Sequence, residues 1–459
     1  MEQIILGIDI GSSKICSLIA EVKGGVPHII GIGKKPTKGI RKGAITNIEQ
    51  ASQSIRESVS DAKRIAGASI SNAIISLSGV YTKSINSSAV INNTNANNDI
   101  GIQEINRLMQ TALYNANIPS NYEVIHVLPY LFKIDDREYI DDPFGMSGTR
   151  LEVEVHVVTA QKSGLENLKK AVKNAGLEID AIVLNAYASS ISTLSSDEKE
   201  LGVACIDMGA SSCNIMIHHG NSMKYDDFLG VGSGHITSDI TVALGTPPAA
   251  AEDIKINYAT LKELSAEELA YTLEIPAIGV DSTRNVSLEI VHNVVMSRVL
   301  ETLQLIEKSI SRAELSSNIG AGIVITGGMA NMNGLRELAS SVFRNLPVRI
   351  AIPKDTNGSF NDIKDPAYST AVGLILYGTG QYTNYELDSN KKLKHHQNKT
   401  IQNNSFSDIA ADNENDLSDL VITKHTIENK EIKENSIIKL DKGKGRFKER
   451  FMKWVKELF

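Results

Sequence analysis

Ile4-Ile5-Leu6-Gly7-Ile8-Asp9-Ile10-Gly11-Ser12-Ser13-Lys14-Ile15-Cys16-Ser17-Leu18-Ile19-Ala20-Glu21 is an apolar run, a polar break and a second apolar run. The two runs predict a buried strand and its return, joined by a tight turn at Gly11–Lys14. Such a turn directs backbone N–H groups and hydroxyls toward one point, which suits a phosphate. Asp9 stands at the lip of the turn, where a carboxylate can hold a magnesium ion through water. Alone, the stretch also reads as an ordinary hairpin with a polar tip, because short Gly-Ser turns are common.

A second copy shifts the balance. Cys205-Ile206-Asp207-Met208-Gly209-Ala210-Ser211-Ser212-Cys213-Asn214-Ile215 repeats the pattern, with Asp9 aligned to Asp207 and Gly11 to Gly209. Two such hairpins, about two hundred residues apart, predict a duplicated α/β domain whose halves face each other across a polyphosphate.

The chain of 459 residues predicts two to three domains, each with its own core. Its 42% apolar and 22% charged content is that of a soluble globular protein, and a net charge of −7 does not point to nucleic acid. The three cysteines, Cys16, Cys205 and Cys213, lie in the two hairpins and read as small buried residues in a reducing cytoplasm. Met1-Glu2-Gln3 opens no signal peptide, and no run of about 18 apolar residues predicts a membrane-spanning helix.

Between the hairpins, Asn47–Gly67 reads as an amphipathic helix with Asn47 as N-cap. Residues 82–160 read as a compact β-α-β-β insertion whose acidic loop, Asp141–Gly148, lacks calcium-loop spacing. Asn185–Leu194 and Ala367–Gly378 are small-residue helices that can approach a neighbour closely, as at a contact between domain halves. Gly230-Val231-Gly232-Ser233-Gly234 precedes a helix, and Pro247-Pro248 opens another that carries Glu252 and Lys255. Val286–Leu315 is a long helix. Ala321–Thr326 is a strand running into Gly327-Gly328-Met329, where glycines allow a flat ring or ribose to approach the backbone. From about 384 to 443 the composition predicts a disordered tether, rich in Asn and charge. The His218-His219 and His395-His396 pairs have no supporting ligand spacing and read as incidental.

Lys444–Phe459 differs from the tether: six Lys or Arg against two Glu, net +4. At 100° per residue Phe447, Phe451, Trp454 and Leu458 share one stripe, with Val455 at its edge. Arg446, Lys448, Arg450 and Lys453 supply cations around them. A basic amphipathic helix with large aromatics suits an anionic membrane surface; docking onto the protein body or a partner are the alternatives.

Several stretches resemble the FtsA family of bacterial cell-division proteins, homologues of actin-like ATPases. They are Gly7–Lys14, Asp142–Leu151 (Asp-Pro-Phe-Gly-Met-Ser-Gly-Thr-Arg-Leu), Ala188–Leu194, Thr237–Ile240, Leu244–Pro248 and Tyr368–Leu374. The resemblance covers roughly residues 4–380 and resumes at the tail. It implies a duplicated actin/Hsp70-like (ribonuclease H-like) two-lobed α/β fold with an inserted α+β subdomain, a disordered linker and a C-terminal amphipathic helix. Residues 1–81, 161–195 and 365–383 would form the first lobe (1A), with 82–160 as the insertion (1C). Residues 196–229 and 306–364 would form the second lobe (2A), and 230–305 subdomain 2B. The linker would span 384–443, and 444–459 the membrane-targeting helix.

The resemblance further implies an ATP-binding scaffold, at most a weak ATPase, that self-assembles into filaments on the cytoplasmic face of the inner membrane at the division site. FtsZ would dock its C-terminal peptide on 2B, later division proteins would dock through 1C, and no nucleic acid would be bound. Asp9 and Asp207 would hold Mg2+. Gly11, Ser12, Ser13, Lys14, Gly209, Ala210, Ser211 and Ser212 would cradle the phosphates of ATP. Glu252 and Lys255 would meet the nucleoside, with Gly234, Gly327, Gly328 and Met329 around it. One departure stands out: relatives usually carry Gly-Gly-Gly-Thr, then Asp two positions on, where this chain has Gly209-Ala210-Ser211-Ser212 and Asn214. The rival reading is a small-molecule kinase of the same superfamily, which has no use for a tethered amphipathic tail; no substrate-binding β-domain follows the core to support a chaperone.

Overall fold

The computed structural model describes residues 3–396 apart from 96, 221, 279–281 and 357–359. Gln3–Ile10, Lys14–Lys23 and Val26–Pro36 form an antiparallel meander, and Asn72–Leu77 and Glu178–Leu184 extend it as parallel strands beside Gln3–Ile10. The first two strands are buried without a break over 5–10 and 15–20 because both faces are covered. Helix Ile48–Ala66 packs on one side and Ser369–Gly378 on the other. The first of these helices starts where the sequence predicts: Asn47 Oδ1 accepts the Gln50 N–H at 3.0 Å, and Gly67 closes it at φ 62°.

The same order recurs in a second sheet. Val203–Met208, Cys213–His219 and Ser222–Leu229 are the antiparallel meander, and Ile323–Thr326 and Val348–Ile350 the parallel pair. Its core is sealed by Ser233–Leu244, Leu335–Phe343 and the long helix Leu288–Arg312, which buries Val291, Val295, Val299, Leu303 and Ile306. The duplication expected from two hairpins is therefore a duplication of whole sheets. Thr272–Pro276 and Thr283–Ser287 pair as a short hairpin absent from the elements expected from sequence.

Residues 82–161 form a separate four-stranded sheet with the helix Ile102–Asn115 on one face. Its own core includes Ile105, Leu108, Val127, Phe132 and Val155. Buried His156 joins this insertion to the second sheet, with Nε2 2.8 Å from Asp226 Oδ1 and Nδ1 2.7 Å from Asn86 Oδ1.

The small-residue helices Asn185–Thr193 and Ser369–Gly378 lie against each other at the centre. A Cβ on Gly373 would stand 1.8 Å from the Ala188 carbonyl oxygen, so only glycine permits this approach.

One expectation is corrected. Residues 384–396 belong to the folded body rather than to a disordered linker, with Tyr385, Glu386, Leu387 and Asp388 all buried. Leu387 exchanges two backbone hydrogen bonds with Val127, each 3.0 Å, and so adds to the insertion's sheet. The rest of the proposed linker and the amphipathic segment 444–459 lie outside the described residues.

Candidate nucleotide site

The two hairpin turns face one cleft of about 1330 Å³. Gly11–Lys14 and Asp9 line it from the first sheet, Gly209–Ser212 and Asp207 from the second. The turns hold their shape differently. At the first, Thr37 Oγ1 donates to the Gly11 carbonyl at 2.8 Å, and Ser12 Oγ accepts the Gly43 N–H at 2.9 Å. At the second, Gly209 N–H bonds to Ser212 O at 2.8 Å, while Ser233 and Gly234 N–H bond to the Gly209 and Ala210 carbonyls at 3.0 and 2.7 Å. Gly234 therefore backs the second turn and is not among the cleft-lining residues; Ser233 is.

The carboxylates are buried and oriented. Asp9 Oδ1 accepts from Ser76 Oγ at 3.2 Å. Asp207 Oδ2 accepts from Ser189 Oγ at 2.6 Å and Thr370 Oγ1 at 3.0 Å, one donor from each central helix. Burial pushes Asp9 up to about 6, against the pull of Lys14. Burial also raises Asp207, opposed by its two hydroxyl donors. Such groups gain from a cation that replaces the lost water.

Lys14 Nζ donates to the Ala367 carbonyl at 2.7 Å and lies 4.0 Å from the centroid of the Tyr368 ring. Glu252 and Lys255 form one cluster with Thr237: Lys255 Nζ is 2.7 Å from Glu252 Oε2 and 3.0 Å from Thr237 Oγ1. Gly327, Gly328 and Met329 line the same cleft. Gly327 sits at φ 89°, and a Cβ there would come 2.4 Å from Asp207 Oδ1.

Asn185 and Asn214 also line the cleft, and their Oδ1 atoms are buried without a hydrogen-bond partner. The carboxylates of Asp9 and Asp207 suit a hard cation such as Mg2+, and the two amide oxygens are unpaired acceptors in residues of the same lining. The sequence reading missed Ser76, Asn185, Ser189 and Thr370. A signal existed: Asn185–Thr193 is buried almost throughout yet carries an Asn, three Ser and a Thr, and buried hydroxyls need partners. Cys16, Cys205 and Cys213 are buried free thiols, with burial raising Cys16 and Cys205 to about 12.

Similarity to known proteins agrees with this architecture. The profile of "Cell division protein FtsA" matches residues 204–373, and that of the "SHS2 domain inserted in FTSA" matches 79–159. The chain is 40% identical to the cell division protein FtsA of Helicobacter pylori strain J99 over 454 residues, 91% of this chain and 92% of that one. The chain belongs to the FtsA family. It is 36% identical to the FtsA of Pseudomonas aeruginosa, covering 82% of this chain and 89% of that protein, and 30% identical to that of Escherichia coli K12, covering 85% and 94%. Among solved structures, the PilM–PilN type IV pilus biogenesis complex aligns with a TM-score of 0.59 at 15% identity, over 82% of this chain and 98% of that one. MreB5 of Spiroplasma citri bound to ADP aligns at 0.50 and 14%, over 82% and 96%. The fold is thus the actin-like one, and the match to the inserted SHS2 domain covers the separate sheet at 82–161.

Proposed function

We propose that this member of the family is an ATP-binding scaffold that self-assembles and tethers FtsZ filaments to the cytoplasmic membrane. The observation that carries the reading is the pairing of two carboxylate-bearing turns, from duplicated sheets, across one cleft. ATP would place its phosphates between Gly11–Lys14 and Gly209–Ser212. Its nucleoside would lie between the Glu252–Lys255–Thr237 cluster and Gly327–Met329. Asp9 and Asp207, with the Asn185 and Asn214 amide oxygens, would hold Mg2+, which neutralises phosphate charge when bound. Lys14 would exchange its carbonyl partner for a phosphate oxygen. Turnover would be slow, with nucleotide acting as a conformational switch.

Membrane attachment would come from Lys444–Phe459. Four or five apolar side chains at about 1.5–3 kcal/mol each, less the ordering of a helix, give one tail modest affinity. Two tails on one polymer gain avidity of about 10²–10⁴. The FtsZ C-terminal peptide would dock on 230–305, and later division proteins on the insertion. No helix among the described residues is long and apolar enough to cross a membrane.

Two measurements on the full chain test the reading. Equilibrium titration with ATP and Mg2+ should show saturable binding. Sedimentation with anionic vesicles should carry the wild type down and leave Trp454→Glu in the supernatant with ATP binding intact. Retained sedimentation of that variant refutes the anchor; equal sedimentation of a polymerisation-defective variant refutes the avidity.

A further inference from the structure

Residues 382–396, the last described, bond to the first sheet, to the edge strand of the second, to the insertion and to both central helices. Thr383 Oγ1 lies 2.8 Å from Ser222 Oγ on the second sheet's edge strand and 3.0 Å from Tyr187 Oη. Tyr385 Oη donates to Asp142 of the insertion at 2.6 Å, and its ring meets Phe132 edge-on. Ser389 Oγ accepts from the Ile182 N–H of the first sheet at 3.2 Å, and Asn390 Nδ2 donates to the Asp180 carbonyl at 3.0 Å. At the centre is Glu386, wholly buried. Tyr187 Oη donates to its Oε2 at 2.7 Å and Tyr377 Oη to its Oε1 at 2.5 Å.

The two tyrosines belong to the same two helices that hold Asp207. On Asn185–Thr193, Tyr187 grips Glu386 and Ser189 grips Asp207. On Ser369–Gly378, Tyr377 grips Glu386 and Thr370 grips Asp207. Ser189 Oγ and Thr370 Oγ1 are themselves 2.9 Å apart, and the helices touch backbone to backbone at Gly373 and Ala188. The packed pair therefore holds a carboxylate of the cleft through Ser189 and Thr370 and a carboxylate of the C-terminal segment through Tyr187 and Tyr377. Packed elements of this kind move as units rather than deforming continuously.

We infer that Tyr382–His396 is a nucleotide-responsive strap, gripped more firmly when the cleft is occupied, because the central helix pair joins Asp207 to Glu386. The inference rests on the nucleotide reading above and adds its regulation. A ligand that fixes Asp207 fixes Ser189 and Thr370, restrains the pair, and so restrains Tyr187 and Tyr377 around Glu386. Coupling is reciprocal: loosening the strap must weaken nucleotide binding by the same factor. The strap is also where the folded body hands over to the C-terminal segment, so this route would carry the state of the cleft toward the tail.

The test is hydrogen–deuterium exchange of the full chain with and without ATP and Mg2+, together with ATP affinity of Tyr377→Phe. That substitution removes one donor to Glu386 and keeps the ring. Amides of 382–396, including those of Leu387 and Lys394, should exchange several-fold more slowly with ATP bound. Tyr377→Phe should speed their exchange and weaken ATP binding about 5-fold or more. Unchanged strap exchange with ATP demonstrably bound overturns the coupling while the nucleotide reading stands. Faster strap exchange in Tyr377→Phe with unaltered ATP affinity also overturns it, since that is what a purely structural tyrosine would give. Failure of the wild type to bind ATP removes both readings together.

Discussion

Gly373→Ala should be the most damaging single-methyl change in the central helix pair. The added Cβ would lie 1.8 Å from the Ala188 carbonyl oxygen and 2.4 Å from its carbonyl carbon, both backbone atoms that no rotamer can move. Restoring ordinary contact requires the helices to part by roughly 1.5 Å. A gap of about 0.5–1 Å already forfeits a quarter to a half of a dispersion well. Both helices are buried along almost their whole length, so the loss is spread over the interface. Overpacking of this kind costs about 1–3 kcal/mol, and the backbone clash places the change at about 3. With a denaturant slope of about 3 kcal/mol per molar, the first urea transition should fall by about 1 M. ATP affinity should fall with it, because parting the helices draws Ser189 and Thr370 away from a shared Asp207 oxygen. Gly230→Ala is the control: its nearest neighbour would be the Phe228 ring at 3.8 Å, and its effect should stay within about 0.5 kcal/mol. Equal midpoints for the two variants, with equal ATP affinity, would refute the close-approach argument.

Lys14→Met should weaken ATP about 10-fold or more and leave adenosine unaffected, since the lost group is a charge aimed at phosphate; equal losses for both ligands in parallel titrations would place Lys14 elsewhere. Gly327→Ala should abolish ATP binding, because its Cβ would meet Asp207 Oδ1 at 2.4 Å at a backbone angle that disfavours side chains; binding near wild-type strength counts against Gly327 as part of the site. Burial raises Glu386 from 4.5 to about 7, so its stabilisation is complete below the unfolded value and is lost as pH rises to 7. Relative to Glu386→Gln the wild type should lose up to about 3 kcal/mol between pH 4.5 and 7 in urea titrations, and parallel curves would refute this. Buried His126, pulled down to about 3, has the opposite slope and is common to both proteins.

The hairpins were legible because apolar runs of strand length end at turn residues, a signal confined to neighbouring positions. Helix Ile48–Ala66 was legible for the same reason: its cap, stripe and terminal glycine are all local. The strap was not. Its apolar anchors, Tyr382, Tyr385 and Leu387, follow no period and sit among Asn, Asp and Lys, so composition argued for a tether. What orders it is long-range: Val127 for its backbone, Tyr187 and Tyr377 for its buried acid. Ser189 and Thr370 escaped notice in the same way. Each looked like a small residue chosen for close packing, and its polar role appears only when Asp207 is placed beside it. In the hairpin, Thr272–Pro276 alternates over only five residues, burying Leu273 and Ile275, and its partner Thr283–Ser287 buries only Val286, so half of the pair carries no alternation.

The second turn also shows how the proposed phosphate cradle can hold its shape with one glycine, Gly209, among its four residues. Ala210 and Ser211 carry side chains in this turn, and the turn is braced from outside. Ser233 and Gly234 N–H groups hold its carbonyls, and a Cβ on Gly232 would lie 2.6 Å from the Gly209 oxygen. The close approach that requires glycine lies in the segment behind the turn. Asn214 bears on charge instead. It pairs directly with Asp207 across the strands, where a carboxylate would raise further a group that burial already raises. A neutral amide there favours an ionised Asp207 under its two hydroxyls, but supplies one fewer negative charge for a cation. A braced cradle with reduced charge suits holding a nucleotide more than cleaving it, in keeping with the proposed scaffold and its proposed coupling through Asp207.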